Sequence, residues 1–318
     1  MDKFIKSSFI KRINLHSFNP EEGYINEGAS GSIYRHQQDG KPYIVKLIDS
    51  SEWDEYDFYE DILWQTEIIK YILDCKRVIT FYGYDIREID NVIQFMVLME
   101  DKGVDGDLSD YICNNNNNWE TINNCDKNRL LKNNNCEYIT YNTEGNIYQR
   151  YTLDREEKLS IIIQLIEAVK EIHDKGVIHA DIKPDNIIYN KDSKELQLID
   201  FSASLFKVED VELIETDWKH GTLGYRAPEE EYDNLIGTPS DIYSLGVTII
   251  EIMVGNIWCG AESFKTCRNE VLKSLRMIEK NDIDNGIGIL LRKCVSLHSN
   301  NRITINNLLE GIKQISNS

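Results

Sequence analysis

At 318 residues the chain is too long for one small core and predicts two lobes or two domains. Its 54 acidic against 35 basic residues leave a formal charge of −19, which disfavours nucleic acid and anionic membrane as partners because phosphates are repelled. A hydrophobic content of 41% and a charged content of 28% are ordinary for a globular protein, so the acidic surface serves solubility or meets basic proteins.

The seven cysteines, Cys75, Cys113, Cys125, Cys136, Cys259, Cys267 and Cys294, show no C-x-x-C spacing and no accompanying histidine cluster. That argues against structural zinc and fits a reducing compartment. The start, Met1-Asp2-Lys3, has no apolar signal core, and Asp2 stands where myristoylation needs glycine. The longest apolar run, Ile242 to Val254, is broken by Ser244 and Glu251 and is too short to span a bilayer. A cytoplasmic protein is expected, and the oligomeric state stays open.

In chain order, residues 20–100 read as strands with one helix among them. Tyr24-Ile25 and Ser32-Ile33-Tyr34 flank glycines, and Tyr43 to Ile48 is a β-branched run after a turn at Asp39-Gly40. Phe58, Ile62, Ile69 and Leu73 recur at helical spacing. Ile79 to Tyr84 and Val92 to Met99 are strand-like. Residues 114–150, with asparagine runs at Asn114–Asn118 and Asn133–Asn135, bury too little to offset ordering entropy and read as a flexible insertion. Asp154 and Glu157 then have capping-box spacing ahead of the helical series Leu159, Ile162, Ile166, Val169 and His173, which Gly176 ends. Ser240-Asp241 opens an apolar helix ending near Gly255, and Thr304 to Ile315 reads as a last amphipathic helix. The pattern is α+β, with a β-rich front and an α-rich back.

Several segments carry chemistry. Gly28 and Gly31 lie between two strands, where backbone amides can approach phosphate oxygens. Lys46 ends a strand about a dozen residues on. Glu67 on the following helix could pair with it, and Glu60, on nearly the same face, is the rival. The segment Val177 to Ile188 crowds Asp181, Lys183 and Asn186 between two apolar runs. A hairpin through Lys191-Asp192-Ser193 would return Asp200 beside Asn186, two oxygen ligands facing one point as Mg²⁺ on a nucleotide requires. Asp181 would stand close by to orient a hydroxyl.

The ordered set resembles the eukaryotic protein kinase family, serine/threonine type. The glycine loop, Ile44-Val45-Lys46, Glu67, His179-Ala180-Asp181, Asn186, Asp200-Phe201-Ser202 and Ala227-Pro228-Glu229 carry the resemblance, over about residues 24–315. It implies a two-lobed fold: an extension over residues 1–19, then a kinase domain over 20–318, with a small β-rich lobe over about 20–100 and a larger helical lobe over about 104–318. It implies ATP and Mg²⁺ as cofactors. By the resemblance, Gly28 and Gly31 cover the phosphates and Lys46, held by Glu67, contacts the α- and β-phosphates. Asp181 orients the substrate hydroxyl and takes its proton, Lys183 neutralises the γ-phosphoryl, and Asn186 and Asp200 hold Mg²⁺. Met99, Glu100 and Lys102 form the strip beside adenine, with Ile25, Ile33 and Ile188 on the ring. His179 and Phe201 resemble spine residues, Asp241 a support of the catalytic loop, and Glu229 with Arg302 a buried ion pair. Lys183 and the loop Gly221 to Glu229 resemble the serine/threonine type, so the partner expected is a protein substrate, basic around its target Ser/Thr.

Four positions depart from the family: Asn26 for a glycine, Ile44 for an alanine, Ser202 for a glycine and Ala180 for an arginine. The missing arginine would anchor a phosphorylated activation loop, and the segment 202–220 is acidic, so an enzyme that needs no loop phosphorylation is expected. The same departures motivate the alternative, a pseudokinase scaffold that binds nucleotide or partners without efficient transfer.

Overall fold

The computed structural model describes residues 11–15, 17–28, 31–51, 54–103, 107–113, 139–141, 147–149, 153–255, 257 and 262–317. Five antiparallel strands form the N-terminal sheet: β1 (Tyr24–Gly28), β2 (Gly31–Gln38), β3 (Lys41–Asp49), β4 (Phe81–Ile89) and β5 (Val92–Glu100), in the order β1-β2-β3-β5-β4. Two of its turns are two-residue loops with both residues left-handed, Asp39-Gly40 and Asp90-Asn91. These are residue types that tolerate such backbone at a hairpin.

Alternation along the strands separates two apolar faces. Ile48, Ile86, Ile93, Phe95 and Val97 pack against Phe58, Ile62 and Ile69 of α1 (Glu55–Ile72). Val45, Leu47, Met96 and Leu98 pack on the other side with Leu15 and Phe18. Lys46, between Val45 and Leu47, therefore shares the α1 face with Ile48. The arm carrying Leu15 and Phe18 falls in the stretch read as an N-terminal extension; it lies on this sheet, with Arg12 bridged to Tyr84.

The remainder is mainly helical: α2 (Leu108–Cys113), α3 (Arg155–Asp174), α4 (Pro228–Asp233), α5 (Thr238–Val254), α6 (Phe264–Lys280), α7 (Asn285–Cys294) and α8 (Ile305–Ser316). Asp154 caps α3 by accepting from the Glu157 amide at 2.8 Å, as its spacing predicts. Every residue of α5 from Ser240 to Met253 is buried, so it is the axis of this lobe. Helices α6 and α7 were not anticipated. Within the asparagine-rich insertion, β6 (Ile139–Tyr141) pairs with β7 (Ile147–Gln149); the rest of that expected segment lies outside the described residues.

Candidate active site

The cluster is built on the backbone that follows β8 (Val177–Ile178). Asp241, in the first turn of α5, accepts from the His179 amide at 2.8 Å, the Ala180 amide at 2.9 Å and lies 2.8 Å from His173 Nε2. That buried carboxylate holds Ala180 at φ 68°, a left-handed conformation that a residue with a Cβ adopts only under constraint. The loop so bent presents Asp181. Its Oδ1 accepts from the Thr222 hydroxyl at 2.8 Å, and its Oδ2 meets Lys183 Nζ at 2.8 Å and Asn186 Nδ2 at 3.0 Å. Lys183 also donates to Thr222 Oγ1 at 2.6 Å.

The hairpin inferred from the sequence is present as β9 (Ile187–Asn190) and β10 (Glu195–Leu198), and it closes with the Ile199 amide on the Asn186 carbonyl at 3.0 Å. Asp200 follows in left-handed backbone at φ 57°. Its Oδ1 takes Lys46 Nζ at 2.7 Å, the Ser202 hydroxyl at 2.8 Å and the Ser202 amide at 3.3 Å. Burial opposes ionisation of Asp200, but the charge and hydrogen bond of Lys46, with the Ser202 bond, hold its carboxyl well below the usual range. Ser202 thus fastens Asp200 where the family's glycine would leave it loose. The ring of Phe201 packs on His179, centroids 4.9 Å apart.

Helix α1 requires a correction. Glu67 is not brought to Lys46: it pairs with Lys70 at 2.9 Å and is half-exposed. Glu60, the rival, is exposed, and it raises the pKa of the Tyr56 hydroxyl. The acid near enough to feel Lys46 is Asp61, whose carboxyl is raised mainly by burial and lowered in part by Gln65 and Lys46. Gln65, buried, donates to Asp61 Oδ2 at 2.7 Å. Helical phase explains the change, because Glu67 points about 120° around the axis from Asp61. Asp61 and Gln65 were legible as an i, i+4 pair in phase with Ile68 and Ile72, both buried in the core.

At the adenine end, Ile44 faces Met99 in the β3–β5 register, and Met99 is nearly buried. Glu100 pairs with Lys102 at 3.0 Å, and the Lys102 carbonyl accepts from Asn190 at 3.0 Å. Ile33 and Ile188 are half-buried and Ile25 is exposed. Gly28 and Gly31 are paired across the β1–β2 turn; a Cβ on Gly31, at φ 129°, would stand 2.5 Å from the Leu47 carbonyl oxygen. Ala29 and Ser30 lie outside the described residues.

The donor set fits Mg²⁺ on a nucleotide. Among the described residues no group of three or more acids, histidines and cysteines forms a metal cage. What the hairpin supplies is one ionised carboxylate, Asp200, beside one amide, Asn186, whose Nδ2 is already turned to Asp181 and whose oxygen is therefore the remaining ligand atom. Mg²⁺ commonly takes one or two protein oxygens and completes its shell with phosphates and water.

Ala180 lies in a small apolar cluster with Ile178 and Ile236, joined by Ala203, Leu205 and Ile214. Strand β12 (Ile214–Glu215) pairs with β13 (Leu235–Ile236), and the Thr216 amide donates to the Asn234 carbonyl at 2.9 Å.

The family model described as "Protein kinase domain" matches residues 21–311. A fission yeast protein (Schizosaccharomyces pombe), serine/threonine-protein kinase ppk34, is 35% identical over 149 residues, 46% of this chain and 41% of that protein. Serine/threonine-protein kinase kin-29 of Caenorhabditis briggsae is 36% identical over 146 residues, 45% of this chain and 17% of the relative. Probable serine/threonine-protein kinase fnkE of Dictyostelium discoideum is 26% identical over 259 residues, 79% of this chain and 16% of the relative. The chain therefore spans less than half the length of these relatives.

Proposed function

The chain belongs to the protein kinase family, and on that premise we propose that it transfers the γ-phosphoryl of Mg-ATP to serine or threonine hydroxyls of proteins. The observation that carries this is the single cluster in which Asp181, Lys183, Asn186, Asp200 and Lys46 converge through Thr222 and the β9–β10 hairpin. A scaffold has no use for a carboxylate, Asp181, ringed by an ammonium, an amide and a hydroxyl, so this cluster favours transfer over the scaffold reading.

In the proposed reaction the substrate hydroxyl oxygen attacks the γ-phosphorus, the bond to the β–γ bridging oxygen breaks, and ADP leaves. Asp181 orients the hydroxyl and accepts its proton. Lys183, 2.8 Å from Asp181, is placed to neutralise the moving phosphoryl group. Lys46 would release Asp200 to meet the α- and β-phosphates, with Asp61 as its acid in α1. Mg²⁺ held by Asn186 and Asp200 would neutralise charge on the phosphate oxygens. Gly28 and Gly31 would cover those phosphates, while Ile25, Ile33, Met99, Glu100, Lys102 and Ile188 would line the adenine end.

Two finer features belong to the same proposal. The enzyme needs no activation-loop phosphorylation, because the Ala180 cluster and the β12–β13 pairing do the ordering that an arginine–phosphate pair would do. Its substrates are basic around the target, because Glu209, Asp210, Glu212, Glu215 and Asp217 are all exposed between Asp200 and the Thr222 loop. No described helix is long and apolar enough to cross a membrane.

The test is Mg-ATP-dependent phosphorylation of basic proteins by the chain, with Asp181→Asn alongside. Asparagine keeps an acceptor for Thr222 but cannot take the proton, so phosphoserine or phosphothreonine should form with wild type and fall at least roughly a hundredfold in the variant. Equal, negligible transfer by both folded proteins would return the scaffold reading.

A further inference from the structure

Trp64 follows Asp61 by three residues on α1, and 41% of it is exposed. Its indole N–H nevertheless donates to the Ser204 carbonyl at 2.8 Å, across 140 residues of chain. The ring of Phe206 stands between Trp64 and Tyr71, both edge-on, at centroid distances of 5.4 and 4.9 Å. Strand β11 (Leu205–Phe206) is in turn paired with β8. Ser204 is itself buried, and its hydroxyl donates to the His179 carbonyl at 3.0 Å while its amide donates to the Phe201 carbonyl at 3.2 Å. One residue, Ser204, thereby joins α1 to the backbone two residues before Asp181 and to the segment that carries Asp200.

The apolar residues Phe58, Ile62 and Ile69 hold α1 down on the sheet. Such non-directional contacts resist lifting of the helix more than rotation about its own axis. Rotation is what the site cannot tolerate, because Trp64 and Asp61 are only about 60° apart on the helix, so a turn that frees one displaces the other. The Trp64 bond is directional and lies off the Phe58–Ile62–Ile69 face, where, beside the buried Ile68 and Ile72, it opposes that turn.

We propose that Trp64 is a positioning residue for phosphoryl transfer: clasped to Ser204 and Phe206, it keeps the Asp61–Gln65 face of α1 turned toward Lys46 and Asp200. This rests on the kinase reading, and it adds a device by which the lobes are registered through the chain's own aromatic residues. Trp64 acts through Asp61 and touches no reacting atom.

The experiment is a double-mutant cycle of Trp64→Phe with Asp61→Asn in the full chain, read as Mg-ADP affinity and as kcat/KM for Mg-ATP. Phenylalanine keeps a ring against Phe206 and loses the N–H, a change that corresponds to roughly three- to tenfold in an equilibrium. Trp64→Phe should weaken both quantities by that factor in the wild-type background and by less than about twofold in the Asp61→Asn background. Tyr71→Leu, which loosens the same clasp from the other side, should behave alike. Equal losses in both backgrounds would reduce Trp64 to general packing and overturn the proposal, as would unchanged affinity and turnover in Trp64→Phe. A wild-type chain that binds Mg-ADP but transfers nothing would sink the kinase reading, and the affinity cycle would still decide the clasp.

Discussion

Glu229 and Arg302 form the ion pair whose loss should be felt most in stability. Arg302 places Nη1 2.5 Å from Glu229 Oε1 and Nη2 2.6 Å from Oε2, and the two side chains are only 1% and 9% exposed. The guanidinium also donates to the Pro239 and Ser296 carbonyls and lies 5.2 Å from the Tyr243 ring centroid. Ser240 donates to Glu229 Oε1 at 3.0 Å. Removing the carboxylate strands a buried cation, and such a break costs about 3–5 kcal/mol. Glu229→Gln keeps one acceptor oxygen and should lie near the lower bound, and Glu229→Ala near the upper. With a chain of this size losing roughly 2 °C per kcal/mol, the melting temperature should fall by about 6–10 °C. The assay is thermal and urea unfolding of the full chain, with kcat measured well below the transition. Turnover at low temperature should survive in Glu229→Gln, since neither residue belongs to the Asp181 cluster. Glu229→Ala with Arg302→Met should be more stable than the sum of the single variants, because no charge is then left buried. A cost under about 1 kcal/mol, or strict additivity in the pair, would refute the claim that the pair is desolvated and mutually dependent.

Two further predictions concern neighbouring groups. Glu230 is buried and near Asp241 and Glu229, and its carboxyl is raised well above 4.5 chiefly by burial. The folded chain then holds a proton that the unfolded chain has lost, so stability falls as pH rises from 4.5 toward that raised value. Glu230→Gln keeps an oxygen for the Ala227 amide and removes this slope, so its advantage over wild type in melting temperature should grow between about pH 5 and pH 8; a gap that does not change with pH would count against it. For Thr216, the hydroxyl donates to the Trp218 carbonyl at 2.8 Å and is 3.1 Å from the Asn234 carbonyl oxygen. Thr216→Ala should cost about 1 kcal/mol of local order and leave turnover within about threefold, with phosphatase treatment of wild type also neutral; loss of activity in both would show that phosphate on the loop is required.

Much of this architecture was legible from residue pattern. Helix α3 begins where Asp154 can cap it, and the β9–β10 hairpin closes through the polar stretch Lys191 to Lys194 between two apolar runs. Helix α6 was missed although Ser263 and Thr266 form a capping box and Phe264, Cys267, Val271, Leu275 and Ile278 keep helical spacing. Charged residues stand between each of these buried positions, so the segment is polar on average and reads as surface until the phase is counted. The choice of Glu67 failed for a different reason. Spacing along the chain fixes which residues share a helix face but not which face meets Lys46, and that is decided by how Phe58, Ile62 and Ile69 seat α1 on the sheet. The arm carrying Leu15 and Phe18 was equally opaque, since two apolar residues in a short non-periodic stretch say nothing of the sheet face they will cover.

The replacement of arginine by Ala180 shows why a residue's absence was more informative than a residue's presence. In sequence it only subtracts a phosphate anchor. In the fold the vacated position is filled by Ile178, Ile236, Ile214 and Leu205, and the backbone nearby is tied by β8–β11 and β12–β13. An arginine placed there would have to bring a charge into that cluster, where burial without a partner is costly. On the proposed reading the apolar cluster and the missing anchor go together: a segment ordered by burial and strand pairing needs no modification, whereas one ordered by a phosphate is ordered only after it. The Ser202 bond to Asp200 and the Trp64 bond to Ser204 act in the same direction, since each fixes by an internal contact a group that would otherwise have alternative positions. If, as proposed, no loop phosphorylation is needed, the site is assembled by folding itself, and control of such an enzyme would fall on its amount, its location or its access to substrate.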